Sequence, residues 1–282
     1  GLEVTAQVGS RSIGMLMGLE ATVHPFTTHP AWLELADLSP EQRLDRIRND
    51  TDLQRRLVDE RPDDGHVQWM NTVLQRTFEL DASVDYEPGP EQNIAARAKA
   101  LGRDPFDLAL ELMLADGGNA LLLHPFENYC TGDLEVVKEM LEDPNTVCGV
   151  ADAGAHVGLI CDASSPTSLL THWARDRKRG DKMPLEFLVR KQTLDTARVY
   201  GLMDRGVIAP GYKADLNLID FQALRLHRPK LVYDLPAGGR RIIQKAEGYR
   251  HTFVSGVEVM RDGVATGELP GQLLRGSQSA PN

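Results

Sequence analysis

Residues 119–152 read NALLLHPFENYCTGDLEVVKEMLEDPNTVCGVAD, and the fold is decided here. The stretch opens with the run NALLLHPF (119–126) and closes with TVCGVAD (146–152), two short apolar segments without strict polar alternation. Such runs are the pattern of strands buried on both faces, as in a parallel sheet covered by helices. Between them DLEVVKEMLED (133–143) predicts a helix, and PLEFLVRKQTLDTARVYGL (184–202) predicts another after the second strand. The order β-α-β-α indicates an α/β architecture. Asp152 then stands at the C-terminal end of a strand, followed by a turn built from Ala and Gly in GVADAGAH (149–156), with His156 four residues on. Small residues allow the backbone to approach another group closely.

Working outward, SPEQRLDRIRND (39–50) has Ser39, Pro40 and Gln42 in a capping-box arrangement that starts a helix. PEQNIAARAKALG (90–102) places Ile94, Ala98 and Leu101 on one helical face and stops at Gly102, while DPFDLALELMLADGG (104–118) begins with Asp104 as cap and Pro105 in the first turn. The polar segment from about 20 to 90, with Trp32, Trp69 and Phe78 scattered through it, has no repeated βα unit and is expected to be an insertion or lid. Past Gly201 the texture changes to short β segments punctuated by Gly, Pro and Asp, in RGVIAPGYKADLNLIDF (205–221) and HTFVSGVEVMRDGVATGE (251–268). The expected division is 1–203 for the α/β part with its insertion and 204–282 for a small β domain, with a mobile polar tail after Arg275.

The composition narrows the function. With 41% hydrophobic and 26% charged residues, the 282-residue chain can bury a sizeable core, and a net charge of -10 disfavours nucleic acid and anionic membranes as partners. A small molecule is the expected partner. No apolar run approaches the ~18 residues of a membrane span, and no secretory signal opens the chain, so a cytoplasmic location is expected. Cys130, Cys148 and Cys161 show no C-x-x-C spacing and read as reduced thiols. The opening GLEVTAQVGSRSIG runs like the interior of a strand, so further sequence is expected upstream.

A carboxylate at the end of a parallel strand faces the loops that build active sites in barrels, where it can take a proton or ligate a metal. The competing role for Asp152 is to cap its own turn. GVADAGAHVGLICDASSPTSLLTHWARDR (149–177), GLMDRGVIAPGYKADLNLIDF (201–221), DLPAGGRRIIQKAEGY (234–249) and TGELPGQLLRG (266–276) resemble the C-terminal half of amidohydrolase superfamily members related to N-acyl-D-amino-acid deacylases. The resemblance implies the C-terminal part of a metal-dependent (β/α)8 barrel with a β-sandwich. It implies hydrolysis of a non-peptide C–N bond in a substrate such as an N-acyl-D-amino acid, with one or two Zn2+ ions. It makes Asp152 a metal contact and the general base and acid. The family's H-x-H pair and other ligands should precede residue 1, and no H-x-H occurs in this sequence. One carboxylate falls short of the about three protein ligands that a catalytic zinc takes.

Other candidates surround that site. His156 is placed as a substrate hydrogen-bonder or an orienting partner of Asp152, against a structural turn role. Gln7 and Arg11 follow the first strand to the same mouth, where Arg11 is a candidate for a substrate carboxylate, against a surface ion pair. Asn128 and Tyr129 are candidates to bind a substrate carbonyl, against packing and turn roles. Arg175 and Arg177 are weaker candidates for an anionic substrate, since Arg177, Lys178 and Arg179 also read as a solvated helix end. Arg205 and Asp215 are assigned to interdomain structure. Two alternatives stand beside the deacylase reading: a non-catalytic fragment or subunit completed by an N-terminal half or an oligomeric partner, and a hydantoinase-like hydrolase of cyclic amides.

Overall fold

The structure, a computed structural model, describes residue 2 and residues 4–151 and 154–281. Two short strands, β1 (Ala6–Gly9) and β2 (Ile13–Met17), lead into four helices: α1 (Pro30–Leu33), α2 (Pro40–Asn49), α3 (Thr51–Asp59) and α4 (Gly65–Val73). Each of the last three starts on a side-chain cap. The Gln42 N–H donates to Ser39 Oγ and the Ser39 N–H to Gln42 Oε1, while Asp50 and Asp64 accept from the N–H groups of Leu53 and Val67. Strand β3 (Phe78–Leu80) follows, then α5 (Ile94–Leu101) and α6 (Pro105–Gly118). Ile94 and Ala98 are fully buried as their spacing predicts, whereas Leu101 lies outside the core. The helix α5 stops at Gly102 in the left-handed region, φ 65°, and helical geometry in α6 is lost by Asp116 and Gly117, φ 49° and 68°. Ile47, Leu57, Met70, Ile94, Phe106 and Met113 form one core with Met15, Met17 and Leu122 of the neighbouring sheet.

That sheet corrects an expectation. Strand β4 (Leu121–Glu127) runs antiparallel between β2 and β3 instead of joining a parallel sheet. Its apolar run is continuous because both faces are covered. Leu122 packs into the helical core, while Leu121 and Leu123 pack with Leu16, Tyr86 and Ile242 on the other side. Gly14 makes the pairing close: a Cβ there would lie 2.4 Å from the His124 carbonyl oxygen.

After α7 (Glu135–Glu142), strand β5 (Thr146–Gly149) pairs in parallel with β1, Ala6 opposite Thr146 and Gly9 opposite Gly149. Among the described residues this is the one parallel pair, and a closed barrel is not formed by them. Helix α8 (Ser165–Thr171) continues into a π-helical turn, His172–Asp176. The predicted helix at 184–202 is divided into α9 (Leu185–Arg190), a second π-helical turn (Lys191–Asp195) and α10 (Thr196–Val199).

The remaining strands are β6 (Leu216–Ile219), β7 (Arg225–Leu226), β8 (Lys230–Leu235), β9 (Gly239–Ile243), β10 (Ala246–Glu247), β11 (Tyr249–Val254), β12 (Val257–Arg261) and β13 (Val264–Ala265). They form a sheet of order β13-β12-β11-β6, a hairpin of β8 with β9, and a pair of β7 with β10, all antiparallel. The tail expected to be mobile is tied down: the Gln278 N–H donates to the Gly201 carbonyl and the Met203 N–H to the Gln278 carbonyl. No helix among the described residues is long and apolar enough to cross a membrane.

Candidate functional site

Because β1 and β5 run parallel in register, Gly9 and Gly149 end at the same edge. The two glycines fit the crowding there, since a Cβ at Gly149 would meet the Gln7 Cβ at 2.8 Å and one at Gly9 would meet Asn128 Nδ2 at 3.1 Å. At this edge lies a cavity of about 300 Å³. Gln7 and Ser10 enter it from β1 and the turn after it, Ser165 from α8, and Gln192, Thr196 and Tyr200 from the segment that holds the second π-helical turn. Cys148, Val150, Pro166 and Leu169 supply apolar wall. Val150 has φ 57°, an outlying conformation for a β-branched residue, two positions before Asp152.

The rim is held by hydrogen bonds to three consecutive carbonyls. Asn128 Nδ2 donates to those of Gly9 and Arg11, each at 3.2 Å, and Trp173 Nε1 donates to that of Ser10 at 2.7 Å. Ser10 Oγ donates to the Ser165 carbonyl, and Gln7 Nε2 donates to the Tyr200 hydroxyl at 2.8 Å. Burial pushes the Cys148 thiol up to about 11, so it stays neutral in the wall.

Gln7 is thus the predicted residue that the structure brings into the cavity lining. Asn128, with φ 61°, acts one step behind, on the backbone of the rim. Arg11 is neither at the cavity lining nor on the surface. It is 2% exposed, with Nη2 donating to the Cys161 carbonyl and pairing with Asp162 at 3.3 Å, and its guanidinium stacks 3.8 Å from the Tyr86 ring centroid. Tyr129 is buried elsewhere: its hydroxyl donates to the Pro88 carbonyl and accepts from Arg179, and burial pushes it up to about 12. His156 is exposed, with its carbonyl accepting the N–H groups of Leu159 and Ile160. Asp152 lies outside the described residues.

Arg177 overturns its reading as a solvated helix end. Its side chain is 0% exposed and pairs with Glu87, itself 2% exposed, through Nε and Nη2. Glu87 also accepts from the Leu134 N–H and bonds His172 Nε2. Burial pushes this carboxyl up, but the bonds from His172, Arg177 and Leu134 prevail and hold it down at about 2. Arg175 donates to the carbonyls of Phe221 and Leu224, and Arg205 bridges Asp204 and Asp215. Arg175 and Arg177 thereby join segments distant in sequence, while the pairs of Arg205 are local.

The residues missed by sequence reasoning are Ser10, Ser165, Gln192, Thr196 and Tyr200. Ser10 adjoins the predicted Gln7 and Arg11, a proximity signal, while the others carry no local spacing that marks them. Among the described residues, no three His, Cys, Asp or Glu side chains converge to hold a metal ion. The described donors therefore do not fit a catalytic zinc site by themselves.

A model of the Amidohydrolase family matches residues 7–260. The chain belongs to this family. The chain is 33% identical over 92 residues to an adenine deaminase of Sinorhizobium fredii, covering 31% of this chain and 15% of that protein. It is 34% identical over 116 residues to the N-acyl-D-aspartate deacylase of Alcaligenes xylosoxydans xylosoxydans, covering 41% of this chain and 21% of the deacylase. The matched part thus spans about a fifth or less of these curated relatives. Among solved structures, a D-aminoacylase described as defining a novel subset of amidohydrolases aligns with 24% identity and a TM-score of 0.36, over 70% of this chain and 37% of that one. The N-acyl-D-glutamate deacylase of Bordetella bronchiseptica, solved with zinc and a phosphonate inhibitor, aligns with 20% identity and a TM-score of 0.33, over 69% and 37%.

Proposed function

We propose that this amidohydrolase chain takes part in hydrolysing a non-peptide C–N bond of a small acylated amine, with an N-acyl-D-amino acid as the substrate class. In this reading the Asp152 carboxylate takes a proton from the attacking water. The water oxygen bonds to the acyl carbon, the C–N bond breaks, and Asp152 returns the proton to the leaving nitrogen. Gln7, Ser10, Gln192 and Tyr200 would hold the substrate beside it. The observation that carries the reading is the cavity at the C-terminal ends of β1 and β5, whose wall runs through Val150 and Ala151 in the two positions before Asp152. The curated match to an N-acyl-D-aspartate deacylase supports the substrate class.

The lack of a metal-holding cluster among the described residues favours a second reading beside it. The chain would supply the proton carrier and part of the substrate cavity, with Zn2+ ligands contributed from outside the described residues, by further sequence or a complementing chain. Release of free amine from N-acetyl-D-amino acids tests the reaction. Asp152→Asn should lower kcat by at least about 100-fold, the scale of a general base, with an unchanged unfolding midpoint. Near-normal turnover in that variant would end the proposal for Asp152. Full hydrolysis by the isolated chain after metal stripping would end the second reading.

A further inference from the structure

The segment that carries Asp152, residues 150–156, runs between two pinned ends. Upstream lies Gly149, held opposite Gly9 in the β1–β5 pair. Downstream, four of the five carbonyls from Val157 to Cys161 accept hydrogen bonds from separate parts of the chain. Val157 accepts from the Ile242 N–H of β9 at 2.7 Å, Gly158 from the Thr22 N–H at 2.9 Å, Leu159 from the Leu16 N–H of β2 at 2.7 Å, and Cys161 from Arg11 Nη2 at 2.8 Å. Between the pins Val150 and His156 take φ 57° and 47°, left-handed values that persist at non-glycine residues where the surrounding structure enforces them.

Three of the four downstream donors are backbone N–H groups, and the fourth is the side chain of Arg11. Arg11 stands two residues past Gly9, and its own carbonyl accepts from Asn128 Nδ2. One residue thereby refers both ends of the segment to the same turn. Its guanidinium is held in place: it lies 3.8 Å from the Tyr86 ring centroid and pairs with Asp162 at 3.3 Å, and the Tyr86 hydroxyl donates to Gln244 Oε1 at 3.0 Å. This anchoring has a cost, since Arg11 Nε and Nη1 are buried without a hydrogen-bond partner among the described residues. A buried charge with unpaired donors adds little to stability and calls for another role. We infer that Arg11 is a positioning residue for the proposed hydrolysis, fixing the backbone that carries Asp152 and acting on the reaction through Asp152.

The inference rests on the reading of Asp152 as the proton carrier, and two measurements separate them. Amide hydrogen exchange is followed on the full chain at Leu159 and Ile160, whose N–H groups donate to the His156 carbonyl. The kcat and KM for N-acetyl-D-amino acids are measured on the chain together with whatever completes its metal site. Arg11→Lys keeps a charge beside Asp162 but loses the planar fork and its stacking. It should speed exchange at Leu159 and Ile160 by at least about tenfold while α6 and β11 keep their rates. It should lower kcat by about 10- to 100-fold with KM within about twofold. In an Asp152→Asn background the same substitution should change kcat by less than about twofold, because the group it positions is gone. Should Arg11→Lys fail to fold, Asp162→Asn should act in the same direction, by about three- to tenfold in kcat. Unchanged exchange or kcat, exchange that speeds equally throughout the chain, or equal losses of kcat with and without Asp152 overturns the inference. Faster exchange at Leu159 and Ile160 in a protein that hydrolyses no N-acetyl-D-amino acid defeats the reaction and leaves Arg11 as the pin of the segment.

Discussion

Replacing Glu87 by Gln removes the charge at the centre of the most buried ion-pair network described here while keeping its shape. In the native protein the carboxylate receives Arg177 Nε at 3.1 Å and Nη2 at 3.0 Å, the Leu134 N–H at 2.9 Å and His172 Nε2 at 3.0 Å. The substitution leaves Arg177 buried against a neutral amide, with the half-exposed Glu135 as its remaining acidic partner. Breaking a buried pair in this way costs about 3–5 kcal/mol. The depressed carboxyl leads to a figure of the same order: a fall from 4.5 to about 2 corresponds to about 3 kcal/mol of stability at neutral pH. The sign follows from the depressed native value. The contribution is complete above the unfolded value of 4.5 and is lost as pH falls toward 2. Urea unfolding of wild type and Glu87→Gln should differ by about 3 kcal/mol at pH 7, and the gap should narrow by about 1.4 kcal/mol by pH 3.5. A gap below about 1 kcal/mol at pH 7, or one that does not close on acidification, would refute the assignment of this pair as a stabilising link.

Three further outcomes are expected. Asn128→Ala should lose about 2 kcal/mol in urea unfolding, since it removes two hydrogen bonds worth about 1 kcal/mol each and puts Ala at φ 61°; Asn128→Gly should recover only the conformational part. Gly14→Ala should cost at least about 2 kcal/mol by driving β2 from β4, seen as a lower thermal midpoint; an unchanged midpoint would contradict the close strand approach. His24 is buried against Trp32 and accepts the Phe26 N–H through Nδ1, and burial holds it down at about 3 from 6.5. Its stabilising contribution is present above pH 6.5 and falls as pH drops toward 3, by about 2 kcal/mol between pH 7 and pH 5; His24→Gln should flatten that part of the stability profile.

Helix starts were legible because their determinants are local. Ser39 with Gln42, and Asp104 with Pro105, lie within one turn of the groups they satisfy. The apolar run of β4 was legible as a doubly buried strand but not in its pairing, because coverage by helices on one face and by Tyr86 and Ile242 on the other gives the same composition as a parallel sheet. Gln7 reaches the cavity lining because the end of β1 leads straight to it. Gln192 and Tyr200 are not marked in the sequence, since they arrive from a helical segment whose π-helical turn changes which residues face inward, and nothing in residues 184–202 announces that turn. Arg177 misled for a related reason: its local neighbours Lys178 and Arg179 form a basic run, while its partner Glu87 lies 90 residues away.

Helix α8 connects the cavity beside β1 and β5 with this buried pair. Ser165, Pro166 and Leu169 line that cavity, whereas Ser168, Thr171 and His172 line a separate cleft that also contains Glu87 and Arg177. These two sets occupy different faces of one helix and its extension, as expected from spacings of three and four residues. The arrangement places Glu87, Arg177 and His172 together on one side, and Ser165, Pro166 and Leu169 on the other. Residues 165–171 of α8 carry no charge, so the charged groups of the cleft come from Glu87 and from the π-helical turn and Arg177 beyond the helix, while α8 gives the cavity beside β1 and β5 a hydroxyl and apolar side chains.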